Sequence, residues 1–236
     1  MSNPFGGPFR IIDDTELPAD ARSSPAEYAA WVQHQLANLQ PSDKGILRFR
    51  RPRPTAAFSP QDTTHPEYER IKKQAHANGF EPIERGTGGR LTMFDEHFLA
   101  VTIILAQAEP HQHTMERFEI FAGAIAGALV NFGIDARVGE LLNEYCPGKF
   151  SINAEGRIKL VGIAQRMNRR CIQMGAIIAV ERSEKACAAI AEAYRAMGLA
   201  FDSTTYGAIS DLQPNVAYPD VRDTLLGSIS AMLQQT

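Results

Sequence analysis

Residues 171–180, CIQMGAIIAV, form a nearly all-apolar run. A strand of this composition has to be covered on both faces, so it belongs at the centre of a sheet with packing on either side. Other segments supply its neighbours. Residues 46–49 and 55–58 are short β-prone runs separated by RRPRP, whose prolines force extended backbone and predict two strands joined by a stiff turn. Residues 81–105 alternate EPIER, GTGG, RLTMF and FLAVTIIL, which predicts a hairpin or meander with a glycine loop at its tip. Residues 150–153 and 158–164 add two further strands. Around them, residues 25–39 space Tyr28, Trp31, Leu36 and Leu39 as an amphipathic helix after a Ser24 cap. Residues 66–78 predict a surface helix closed by Gly79. Residues 115–132 are apolar at helical spacing and predict a buried helix with a purely structural role. Residues 184–197 and 220–233 complete the helices. Strands gathered in the middle with helices flanking them point to an α+β domain rather than a regular βαβ alternation.

With 236 residues the chain can bury a substantial core, and single-domain organisation is expected, with residues 1–24 as a flexible Gly/Pro-rich arm and 25–236 as the domain. A net charge of −3 argues against a protein that coats nucleic acid, which needs a clustered basic excess. Cys146, Cys171 and Cys187 are an odd set with no CxxC pair, which fits a reducing, cytoplasmic setting. The opening MSNPFGGPFRIIDD lacks the pattern of a secretory signal, and no apolar stretch approaches the roughly 20 residues needed to cross a bilayer, so no membrane association is expected.

Two segments could carry chemistry. In GTGG, residues 86–89, backbone N–H groups can approach an anion or carbonyl, with Arg85 adding a charge-assisted bond. The loop equally fits a plain hairpin turn, and it matches neither dinucleotide nor phosphate-loop spacing. In residues 145–170, Cys146 precedes Pro147 and Gly148 and so sits on a turn, where a thiol can be exposed and oriented; Lys159 follows in a strand-like run. An ammonium near a thiol would favour the nucleophilic thiolate. The same residues also fit a cysteine buried as a small hydrophobe and a lysine snorkelling to solvent. His111 and His113 have no partners at metal-ligand spacing and read as a solvated loop. Cys171 and Cys187 read as inert core thiols. The clusters Arg48, Arg50, Arg51, Arg53 and Arg166, Arg169, Arg170 read as solvated basic faces, able to steer an acidic partner.

Taken in order, RPRPTAAF, RGTGGR and EGRIKLVGIAQR resemble motifs of the biotin/lipoate protein ligase and octanoyltransferase superfamily, over roughly residues 25–235. The last resembles its G-x-K-[IVL]-x-G-x-[AS]-Q signature and places the family's lysine at Lys159. With YCPGKFSI before it, the chain is most similar to the cysteine-dependent octanoyltransferases and amidotransferases of lipoate assembly. The resemblance implies a mixed, largely antiparallel sheet flanked by helices. It implies that Cys146 takes an octanoyl or lipoyl group as a thioester and passes it to the lysine of a lipoyl-domain or glycine-cleavage carrier protein, with acyl carrier protein as another candidate donor. Lys159 would orient the acyl carbonyl and shuttle protons, while Arg85, Thr87, Gly88, Gly89, Gly162 and Gln165 would bind substrate. That route needs no cofactor and no metal. ATP-dependent lipoate-protein ligases share the resemblance; there, ATP and Mg2+ are required, Lys159 holds an acyl-adenylate and Cys146 is a bystander. A third expectation is a non-catalytic protein that binds a lipoyl domain or an acyl chain. Ser59, Arg90, Leu91, Leu160 and Val161 depart from the commoner family residues.

Overall fold

A computed structural model describes residues 4–234. In chain order the elements are β1 (Phe9–Asp14), α1 (Pro25–Asn38), β2 (Gly45–Arg50), β3 (Thr55–Phe58), α2 (Tyr68–Ala77), β4 (Glu81–Glu84), β5 (Thr92–Phe94), β6 (Phe98–Ala106), α3 (Thr114–Val130), β7 (Ala136–Val138), β8 (Ile152–Ala154), β9 (Ile158–Met167), β10 (Cys171–Ala179), α4 (Glu184–Ala196), α5 (Ile209–Leu212) and α6 (Tyr218–Gln234). A seven-stranded sheet runs β1-β2-β6-β10-β9-β8-β7, and a three-stranded sheet runs β4-β3-β5. Among the described residues, only the β1–β2 pair of the large sheet is parallel, so the sheet is mixed and largely antiparallel, as expected.

The apolar run at 171–179 is the middle strand, and strand alternation explains how it serves two compartments. Ile172, Met174, Ala176 and Ile178 join Leu99, Val101, Ile103 and Leu105 of β6 and Leu47 and Phe49 of β2 in the main core, closed by Phe121, Ile125 and Leu129 of α3 and by Val221, Leu225 and Ile229 of α6. The opposite face carries small residues, Ala100, Thr102 and Gly175. α1 covers one end of that face through Val32, Leu36 and Leu39. A second core built from the small sheet, α2 and α4 lies at the other end. Because small side chains cannot fill the space between, a cavity remains.

Local signals held where they were strong. Ser24 caps α1, its hydroxyl accepting from Glu27 N–H at 3.2 Å while the Glu27 carboxylate accepts from Ser24 N–H at 2.7 Å. Gly79, with φ of +77°, follows α2. Non-local pairing differs from expectation in three places. First, within the arm expected to be loose, of which residues 1–3 lie outside the described residues, Phe9–Asp14 is held: it pairs with β2, Asp14 holds Arg48 at 2.6 Å and Asp13 holds Arg222 at 2.8 Å. Second, β2 and β3, expected as neighbours across RRPRP, lie in different sheets, because the prolines redirect the chain instead of closing a hairpin. Third, β4 and β5 flank β3 rather than pairing as a hairpin through the glycine loop, which is therefore free to reach the cavity.

Candidate active site

A cavity of about 330 Å³ lies between the large sheet and the small one. The residues that the family resemblance assigned to catalysis and substrate binding all line it: Arg85, Thr87, Gly88, Gly89, Cys146, Lys159, Gly162 and Gln165. β9 contributes Lys159, Gly162 and Gln165, the 85–90 loop leaves β4, and Cys146 lies on the turn before β8.

Cys146 is half-buried and adopts φ of +43°, a left-handed conformation costly for a residue with a Cβ. Its surroundings enforce that geometry. Its N–H donates to the Tyr194 hydroxyl at 2.6 Å, and that hydroxyl donates to the Leu91 carbonyl at 3.0 Å. Burial above all, and then the neighbouring Cys146, hold the Tyr194 phenol above its ordinary range, so it stays a neutral hydroxyl able to do both. Around the sulfur, Arg90 N–H donates to Sγ at 3.3 Å and the Arg85 guanidinium approaches it at 3.5 Å. Arg85 is aimed by bonds to the Thr87 hydroxyl (3.0 Å) and the Arg90 carbonyl (2.7 Å), while its buried Nε has no partner. Gly89, at φ of +97°, leaves the space: a Cβ there would stand 2.8 Å from Sγ.

Lys159 lies beside the Cys146 turn, and the hydrogen bonds of its ammonium go to acceptors other than the thiol. Its buried ammonium donates to Glu144 Oε1 (2.9 Å), the Tyr145 carbonyl (2.9 Å) and the Cys146 carbonyl (2.8 Å), using all three N–H bonds. It therefore fixes the backbone of the turn, and the cationic group at the sulfur is Arg85. Gly162 sits beside it, a Cβ there falling 3.8 Å from Lys159 Cε. Gln165 accepts from Arg117 Nε at 3.1 Å.

The family profile described as lipoyl protein ligase A/B catalytic domain matches residues 24–228. The chain belongs to this lipoyl ligase family. It is similar to an octanoyl-GcvH:protein N-octanoyltransferase of Anoxybacillus flavithermus, 27% identical over 230 residues covering 96% of this chain and 78% of the relative. It is also similar to an enzyme of the same name from Geobacillus kaustophilus, 24% identical over 179 residues that cover 76% of this chain and 59% of the relative, under two thirds of its length. Among solved structures, lipoate-protein ligase A bound with ATP superposes with a TM-score of 0.71 at 21% identity, covering 96% of this chain and 85% of that one, a likeness of fold.

Several residues of this lipoyl ligase domain escaped sequence reasoning. Glu144, an isolated acid in a loop, anchors Lys159 and also accepts from the Ser151 hydroxyl at 2.7 Å. Arg117 of α3 is fully buried and donates to Gln165, Gln107 and the Gln112 and Pro110 carbonyls, and its charge amid apolar neighbours was the visible clue. Arg48 and Arg50 are buried, not part of a solvated face. Arg166 leaves its cluster and packs its guanidinium where a Gly86 Cβ would be, 2.2 Å away, whereas Arg169 and Arg170 are exposed. Cys171 and Cys187 are buried thiols pushed up by burial, consistent with inert roles. His113 pairs with Glu116 at 2.7 Å on the exposed approach to α3. Asp95, Glu96 and His97 bring potential metal ligands together in the β5–β6 turn, but both Asp95 oxygens are engaged by Ser183 and His97.

Proposed function

We propose that this chain moves an octanoyl or lipoyl group between carrier lysines through a thioester on Cys146, in protein lipoylation. The observation that carries this reading is the position of Sγ at an acyl-sized cavity, with Arg90 N–H and the Arg85 guanidinium both directed at it. A charged donor and an N–H beside the sulfur hold it in place at the cavity. The relatives named above support the same class of reaction.

With an octanoyl-lysine of a glycine-cleavage H protein as donor, the Cys146 sulfur attacks the amide carbonyl. The C–S bond forms, the C–N bond to the donor lysine breaks, and the amine leaves with the thiol proton. The acceptor lysine of a lipoyl domain then attacks, the C–S bond breaks and a proton returns to sulfur. One amide replaces another, so no ATP is consumed. Arg85, whose Nη2 stands 3.5 Å from Sγ, supplies the positive charge that stabilises the oxyanion. Lys159 reaches the acyl carbonyl by exchanging its bond to the Cys146 carbonyl. Relatives bearing the GcvH name favour that donor over acyl carrier protein. A cytoplasmic setting belongs to the same proposal, since a working thiol has to stay reduced; among the described residues, no helix is long and apolar enough to cross a membrane.

The test is transfer from octanoylated H protein to an apo lipoyl domain, with and without ATP. Transfer without ATP, and no lipoate-dependent exchange between ATP and pyrophosphate, is the expected result. Dependence on ATP together with that exchange would assign the chain to the ligases instead.

A further inference from the structure

The cavity that holds Cys146 is apolar along its middle but cationic away from it. Arg50, Tyr28 and Thr102 line it on the β2 and β6 side. The strand register Arg50↔Ala100↔Ile177↔Gly162 puts Arg50 three strands from Gly162, beside which Lys159 sits. Three strand spacings are roughly 14 Å. Small or apolar residues, Ala57, Ile83, Ala100 and Gly175, line the space between.

Arg50 is only 7% exposed and stacks its guanidinium 3.6 Å from the centre of the Tyr28 ring. Its Nε has no hydrogen-bond partner, and among the described residues no carboxylate pairs with it. The contrast with its neighbours is informative. Arg48 pairs with Asp14 at 2.6 Å. Arg117, equally buried, bonds to four oxygen acceptors on Gln165, Gln107, Gln112 and Pro110. A guanidinium keeps its charge when buried, and a buried charge without an anion is costly. The Tyr28 ring and hydroxyl offset part of that cost, but a neutral phenol also held by Thr102 supplies no negative charge to balance the guanidinium.

We infer that Arg50 receives a carboxylate at the far end of the acyl chain, so that the site takes half-thioesters or half-amides of medium-chain dicarboxylic acids. This rests on the acyl transfer through Cys146 proposed above. The planar guanidinium suits a carboxylate, which accepts its N–H bonds as a pair and neutralises its charge.

The experiment is competition between N-acetylcysteamine thioesters of octanoic acid and of suberic acid for loading onto the full chain, read by intact mass, with wild type, Arg50→Met and Arg50→Lys. In wild type the suberoyl group is preferred. In Arg50→Met the suberoyl-to-octanoyl ratio falls by about 10- to 100-fold, the discrimination expected of a charge-assisted hydrogen bond, and the preference inverts. Arg50→Lys retains part of it. Thermal unfolding supplies a readout independent of loading: removing an unpaired buried cation raises the Tm of Arg50→Met, whereas an arginine held only for its stacking would lower it. Octanoyl loading without suberoyl loading, or a ratio unchanged by Arg50→Met, overturns this inference and leaves the transferase reading intact. If neither thioester loads wild type, both fall.

Discussion

Lys159 Nζ lies 2.9 Å from Glu144 Oε1, with side-chain exposures of 1% and 0%, and this buried pair ties the ammonium to the turn that presents the thiol. Removing one partner strands the other charge in the interior. Glu144→Ala is therefore expected to cost about 3–5 kcal/mol in urea unfolding. Glu144→Gln, which keeps an acceptor oxygen, should cost less. A Glu144→Ala, Lys159→Ala double-mutant cycle should give a coupling energy well above zero; additive losses would mean that the pair does not act as a unit.

The Tyr194 hydroxyl bridges Cys146 N–H and the Leu91 carbonyl, spanning the two loops that meet at the sulfur. Tyr194→Phe leaves both groups without that partner, at about 1–3 kcal/mol. Because the hydroxyl touches backbone and not substrate, kcat should fall with KM little changed. A purely structural role would lower Tm and leave kcat of the folded fraction intact.

Gly89 is the position least able to accept a side chain. A methyl group would stand 2.8 Å from Cys146 Sγ and 3.0 Å from Arg85 Nη2, on backbone at φ of +97°. Gly89→Ala should cost about 1–3 kcal/mol through backbone strain. By displacing the thiol it should also slow acyl transfer by about 100-fold, the penalty expected for a misplacement near 1 Å.

The three thiols should separate by reactivity. Cys171 and Cys187 are buried, and burial pushes both thiols up, so each stays protonated and shielded near neutral pH. Iodoacetamide at pH 8 should label Cys146 first, with the other two reacting only on unfolding; peptide mapping by mass decides it. Early labelling of Cys187 would contradict the packing of α4 described above.

What the sequence made legible follows from how local each signal is. The apolar run at 171–179 and the Ser24–Glu27 capping box are patterns of adjacent residues, and both formed as read. The motif residues Arg85, Gly89, Cys146 and Lys159 also converged on one cavity. The pairing of β1 with β2, and the place of β3 between β4 and β5, depend on contacts distant in sequence, which short β-prone runs do not encode. The arginines of β2 were misread although the clue was present: alternation in ILRFR sends Leu47 and Phe49 to the core and Arg48 and Arg50 to the opposite face, which α1 covers. Glu144 carried no pattern at all, since only the folded chain brings it to Lys159.

The central claim, a thioester on Cys146, is tested most directly by intact mass after incubation with an octanoylated lipoyl domain or H protein in the absence of ATP. The account predicts one octanoyl mass on the wild-type chain, removed by hydroxylamine and absent from Cys146→Ala. A Cys146→Ala protein that still forms or transfers the acyl group would contradict it.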